Sequence, residues 1–308
     1  MDKQILYWTM SLFGTAIGAG ILFLPISIGT GGFLSLIIMA ILAYPLTHYS
    51  HKLLAKFIYK NDGLDDITEV LDNTFGKNIG LLIIISYFLE IFVVLLLYTI
   101  ALTNAIELIL TENLGFVDIN RVILSFFVVA FLMFIISRGL EVIIKVISYL
   151  VFIFIISIFI LSIYLIQFYN GGVFNDFSID LINTQEIFKS TLYVIPIMIF
   201  AFNHVAIISS MVIEQKKLNI KSAENSIDKI LKYSHILMIF VVLFFLFSCA
   251  FVFNSLELNE ANSKNINILS YISIKIDNFA LQYIAPIIAS IAIMKSFLGH
   301  YMGTKEGF

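Results

Sequence analysis

Charge is scarce in this chain. Of its 308 residues only 13% are Asp, Glu, Lys or Arg, against roughly 25% in ordinary soluble domains. Hydrophobic residues make up 60%, and the mean hydropathy is +1.00. A soluble protein could not cover its surface with so few polar groups. That excludes a cytosolic globular enzyme, a disordered tail and a secreted module. Cysteine is nearly absent too. Cys249 stands alone, which excludes a disulfide framework or a cysteine metal cluster and leaves a packed small residue. No basic excess exists: the net charge is −3, which does not point to a nucleic-acid partner. The four prolines form no linker, and no short repeat or low-complexity tract interrupts the chain. It reads as one transmembrane domain, 1–308.

What is present is apolar runs. A helix crosses the hydrocarbon core in roughly 20 apolar residues. Eight such runs are legible, at about 5–28, 32–54, 79–109, 122–137, 145–168, 189–213, 235–254 and 279–304. The first follows a single basic residue, Lys3, and exceeds the roughly 7–15 residues of a signal-peptide core. It reads as a spanning helix, not a cleaved leader. The segment 214–234 reads as a solvated charged connector or an amphipathic surface helix. Thirteen Lys and Arg fall on one side of this arrangement and four on the other, with Lys295 inside a span. The bias predicts both termini in the cytoplasm.

Two runs carry interruptions that a plain spanning helix does not need. The first reads SLFGTAIGAGILFLP, with Gly14, Gly18 and Gly20 near its middle and Pro25 after them. Unwinding there frees backbone groups that lipid cannot satisfy, so they must line a cavity or ligand site. Close helix packing through the Gly14/Gly18 pair is the competing reading. The sixth reads YVIPIMIFAFNHVAIISSMV, where Pro196 and Asn203-His204 break the apolar pattern. A polar pair joining two helices is the alternative there. Broken helices five apart are the mark of five-helix inverted repeats with a midplane site. Half-helix N-termini then face an anionic group while freed carbonyls take a cation. A zwitterionic amino acid offers both. An intramembrane enzyme is disfavoured because no HExxH or GxSxG occurs. A channel is disfavoured because no filter-like repeat or charged ring occurs.

At these residues the sequence resembles a known family. FGTAIGAGILFLPI, FNHVAIISSMV and KSFLGHYMGTKEG are similar to motifs of the hydroxy and aromatic amino acid permeases, nearest their serine/threonine branch. These belong to the amino acid–polyamine–organocation superfamily. The resemblance implies an all-α polytopic protein with a leucine-transporter-like fold, helices 1 and 6 broken. It implies proton symport of L-serine or L-threonine across the bacterial inner membrane, with no cofactor beyond the proton motive force. The family usually has eleven helices, so the last helices of the second repeat are expected to be missing here. A truncated non-transporting remnant or sensor, or a sodium-coupled carrier of another small neutral or aromatic amino acid, are the alternatives.

Site residues follow from the same resemblance. Amides around Gly18, Ala19 and Gly20 would hold the substrate carboxylate. Carbonyls of Thr15, Ala16 and Phe202 would hold its ammonium. Tyr98 resembles the Tyr that gates the carboxylate side, with packing as the other reading. Asn203, His204 and Ser209 are candidates for the substrate hydroxyl. Sodium-coupled relatives carry an Asn where this chain has Ile21, which offers no oxygen. A second cation position resembles the Gly14 and Ile17 carbonyls with Lys295 and Ser296. There a titrating Lys295 ammonium would stand in for sodium, with Glu90 as its counter-charge; a snorkelling lysine is the competing reading. His48 and His51, at i, i+3 spacing, read as an interfacial pair, since no further metal ligands are evident beside them. The role of His300, in the third motif, is open. The partners implied are the amino acid and the bilayer.

Overall fold

The computed structural model describes residues 3–18, 20–61, 67–176, 184–218, 220–264, 266–276 and 279–304. Ala19 and Lys305 lie outside the described residues. The elements are all helical. They are α1 (Lys3–Ala16), α2 (Gly20–Thr30), α3 (Gly32–Tyr59), α4 (Ile67–Phe75), α5 (Lys77–Leu108), α6 (Arg121–Ile136), α7 (Leu140–Leu165), α8 (Thr184–Ala201), α9 (Val205–Leu218), α10 (Ile220–Val252), α11 (Ser255–Ser263), α12 (Ile268–Ile276) and α13 (Phe279–Thr304). Helices α3, α5, α7, α10 and α13 are each long and apolar enough to cross a membrane, and α1+α2 and α8+α9 do so as bent pairs. The fourth expected span, α6, is shorter: its 16 residues reach about 24 Å at 1.5 Å per residue. The protein is an all-α polytopic membrane protein.

Local chemistry explains where these helices start and stop. Asn120 caps α6 by accepting from the Val122 and Ile123 amides at 3.0 and 3.2 Å, the usual remedy for unpaired first-turn donors. Gly32, at φ +75°, makes the sharp turn from α2 into α3 that a side chain would resist. In α11, Asn254 and Glu257 form a reciprocal capping box.

The segment 214–234 is not a solvated connector. Apart from residue 219, it is helical and runs as α9 and the first half of α10. Ala223, Ile227, Ile230 and Leu231 are buried at i, i+4, i+7 and i+8, the spacing of one helix face. Helices α4, α11 and α12 form within stretches that hydropathy alone leaves as polar connections.

Packing sorts the spans into two groups. Helices α1, α3, α8, α9 and α10 form one connected set and α5, α6, α7 and α13 a second, and the two join where α1 packs on α7 and α13, α9 on α13 and α10 on α7. The apolar window of α10 is 61% buried and that of α5 only 17%. Phe92, Leu89 and Leu96 of α5 face outward, as lipid-facing side chains should. Trp8, Leu12 and Phe13 of α1 are wholly enclosed. The first break therefore sits deep in the protein, where freed backbone groups can find partners.

Candidate functional site

The break in span one is visible in its hydrogen bonds. The Ile17 amide still bonds the Phe13 carbonyl at 2.9 Å, but the Gly18 amide turns to Ala16 at 3.0 Å. The Gly14 carbonyl thereby loses its helical donor. Ser296 Oγ donates to it at 2.8 Å and Lys295 Nζ at 3.4 Å. Lys295 is fully buried. Its Nζ lies 4.4 Å from the Phe154 ring centre and 5.7 Å from that of Phe13, within the range of cation–π attraction when protonated. Among the described residues no carboxylate forms an ion pair with it.

Close packing and unwinding coexist at the glycines. A Cβ on Gly18 would sit 2.6 Å from Ser296 Cβ and 2.9 Å from the Tyr98 hydroxyl. A Cβ on Gly14 would meet Val151 of α7 at 2.8 Å. Both small residues are required by neighbours, and Gly18 brings Tyr98 and Ser296 to the turn. Thr15 Oγ1 donates back to Ser11 at 2.8 Å, so its hydroxyl is not free to face a ligand.

Span six bends by 49° between α8 and α9. Asn203 secures the bend. Its Oδ1 accepts from the Val205 amide at 3.0 Å, and its Nδ2 donates to Glu90 Oε1 of α5 at 2.7 Å. The two breaks approach closely: a Cβ on Gly20 would lie 3.4 Å from Ala201 Cα. Beside them is a cavity of about 600 Å³ lined by Gly20, Tyr98, Pro196, Phe200 and Ala201, with Asn104 at its edge. A second cavity, about 620 Å³, is lined by Ser50, His51, Glu90, Phe202 and Asn203.

The expected site residues therefore separate. Gly18, Gly20, Tyr98 and Ser296 gather at the first break, and Gly14, Ala16, Ile17 and Lys295 line its buried side. Asn203 and Glu90 face the second cavity and hold each other, so Glu90 is not the counter-charge of Lys295. His204 is fully buried and does not line the first cavity. Ser209 is buried with no hydrogen-bond partner for its hydroxyl among the described residues.

One cluster escaped sequence reading. His48 and His51 are not an isolated interfacial pair, because His204 and His235 join them. His204 Nε2 meets His235 Nε2 at 2.9 Å, and His235 Nδ1 meets His48 Nδ1 at 3.0 Å. His51 stacks on His204, ring centres 3.7 Å apart and planes 4° from parallel. Ligand atoms of His51, His204 and His235 lie within 4.8 Å of one another. A metal lies in the plane of each imidazole it binds, and parallel stacked planes do not meet at one ion. The cluster is built as a hydrogen-bonded chain. Its members lie on α3, on α10 and in the break of span six, far apart in sequence, and the only advance signal was that so few histidines, five in all, fall at helix breaks and span ends. The fifth, His300, packs edge-on against Tyr98 at 5.4 Å and bonds the Ser296 carbonyl at 2.9 Å.

Two broken spans meeting at their breaks, beside a cavity of about 600 Å³ in a multi-pass bundle, define a membrane transporter built on discontinuous helices. Residues 2–298 match the family described as transmembrane amino acid transporter protein, and the chain belongs to that family. It is 42% identical over 305 residues to the serine transporter SdaC of Escherichia coli (strain K12), covering 98% of this chain and 71% of that protein. To SdaC of Shigella flexneri it is 41% identical, with the same coverage. These relatives are transporters, not enzymes, in agreement with the resemblance read from the three motifs.

Proposed function

We propose that this chain imports L-serine, with L-threonine as its near analogue, by proton symport across the bacterial inner membrane, both termini on the cytoplasmic side. The observation that carries the reading is the meeting of the two breaks beside the cavity at Gly20, Tyr98 and Ala201. The identity to serine transporters supports the substrate. The N-terminus of α2, an 11-residue helix beginning at Gly20, offers a positive dipole end to a carboxylate beside the first break. Carbonyls of Thr15, Ala16 and Phe202 take the ammonium, and Tyr98 closes the carboxylate side.

Coupling belongs to Lys295. Its ammonium occupies the Gly14 carbonyl, a position that suits a cation, while Ile21 is buried and supplies no oxygen for sodium beside the substrate. A carrier that alternately loads and empties this position with a proton needs no metal ion. The test is labelled L-serine uptake by cells lacking their own serine carriers, with membrane insertion checked in parallel. Saturable uptake competed by L-threonine but not by D-serine supports the reading. Non-saturable flux, or none from an inserted chain, contradicts it.

A further inference from the structure

The four-histidine cluster has no part in the mechanism above, yet it ends on one of its groups. Carbonyls only accept, so the 2.8 Å bond from His204 Nδ1 to the Phe202 carbonyl places a proton on Nδ1. Neutral His204 then accepts at Nε2, which requires a proton on His235 Nε2 across the 2.9 Å contact. Neutral His235 in turn accepts at Nδ1, which requires a proton on His48 Nδ1 at 3.0 Å. Each imidazole has one donor and one acceptor, so the three bonds fix one another. His51 is satisfied separately, donating from Nδ1 to the Thr47 carbonyl at 2.8 Å and accepting the His204 amide at 3.4 Å. The neutral chain has one polarity: every N–H points toward Phe202. His48 Nε2 is left as its free lone pair, on a half-buried residue one turn from the Lys52–Asp228 ion pair of 3.0 Å.

We propose that His48, His235 and His204 form a one-way proton chain that charges His204 and thereby expels a bound amine from the Phe202 carbonyl. The ligand class is a primary ammonium, and the inference rests on the reading of that carbonyl as part of the substrate site. The proton balance is explicit. A proton from water adds to His48 Nε2, and the proton on His48 Nδ1 passes to His235 Nδ1. The proton on His235 Nε2 passes to His204 Nε2. His48 and His235 end neutral with their tautomers reversed, and His204 ends as the imidazolium.

Its Nδ1–H now makes a charge-assisted bond to Phe202, and its charge repels an ammonium at the same oxygen. Several titratable and charged groups face the chain. His204 faces His51 of α3, His235 of α10 and, farther off, His300 of α13. Glu90 of α5 reaches this region through Asn203. His48 faces Tyr44, Tyr49, Lys52, Asp228 and Lys232. With rings this close, the cluster titrates as one coupled unit.

The experiment loads detergent-solubilised full chain with labelled L-serine at about pH 8. It then acidifies to about pH 5, across the range in which histidines titrate, and follows serine release by rapid filtration. Wild type releases serine on acidification, with affinity falling roughly 5- to 150-fold, the usual span of coupling between two sites. His48→Gln and His235→Gln touch no substrate group and keep binding at pH 8. An amide cannot pass a proton on, so both release serine at least about tenfold more slowly after the acid jump. Release as fast as wild type from both variants overturns the inference. If either variant fails to fold, wild type alone still decides it: binding at pH 8 without acid-triggered release contradicts the chain while leaving serine transport standing. Absence of saturable serine binding at pH 8 overturns the substrate reading and this inference together.

Discussion

At Gly18 one hydrogen atom decides whether the first break can form. A methyl there would press on Ser296 Cβ and the Tyr98 hydroxyl at 2.6 and 2.9 Å, and overpacking of this kind costs about 1–3 kcal/mol. Gly18→Ala is expected to insert normally and lose most serine uptake, with Tyr98 displaced; uptake at the wild-type level would show that the turn is not shaped as described. Asn203 carries a different lesson. Its amide is committed at both ends, to Val205 and Glu90. Asn203→Ala therefore acts on the bend, removing a cap worth about 0.5–2 kcal/mol. It is expected to weaken uptake of L-serine and its competition by L-alanine alike, as a competition assay would read; selective loss for serine would return Asn203 to the substrate hydroxyl. The glycines and Pro196 made both breaks legible in sequence, because those residue types act on the backbone locally. The partner of Asn203 was not legible, since Glu90 lies on another helix 113 positions away and no local rule sets that meeting.

At the scale of elements, long apolar runs announced the spans with ends up to five residues off, save α10, whose first half was hidden by its charges. A burial pattern at Ala223, Ile227, Ile230 and Leu231 was there to be read, but Glu224, Asp228 and Lys229 among them and the lysines flanking them drew it toward a connector. The α11–α12 hairpin was hidden for the same reason. It lies over α2 through Leu258, which packs on Gly29. A polar clasp ties it: Glu260 meets Lys264 at 2.6 Å and Lys275 at 3.1 Å, and Tyr271 donates to it at 3.1 Å. Lys264, Lys275 and Tyr271 hold the Glu260 carboxyl down to about 2 from its ordinary 4.5. A carboxyl lowered in the folded state stabilises fully above its ordinary value, and that contribution is lost as pH falls from about 4.5 to about 2. The Glu260, Lys264 and Lys275 side chains reach solvent, so the effect is modest and salt-sensitive. Hydrogen exchange in α11 and α12 is expected to be unchanged between about pH 7 and pH 5 once intrinsic rates are removed. Glu260→Gln should raise it throughout that range, and an unaltered hairpin would mean the clasp contributes nothing.

At the scale of the molecule, the two packed sets of helices meet at α1, at α9 against α13 and at α10 against α7, and α1 carries both the Gly14 carbonyl and the first break. The proposed substrate and coupling positions thus lie about one helical turn apart, so on this reading occupancy of either bears on the shape of the same turn. The histidine chain joins α3, α10 and the break in span six within the other set. Such arrangements across helices are invisible to hydropathy and to short motifs, because only tertiary packing creates them. The central claim is that a proton at Lys295 drives serine accumulation. Its most direct test is labelled L-serine uptake into sodium-free proteoliposomes under an imposed acid-outside gradient, comparing wild type with Lys295→Gln. Wild type is expected to accumulate serine above equilibrium and to lose accumulation with a protonophore, while Lys295→Gln equilibrates serine without concentrating it. Accumulation that ignores the proton gradient and requires sodium, or full proton-driven accumulation by Lys295→Gln, would contradict the account.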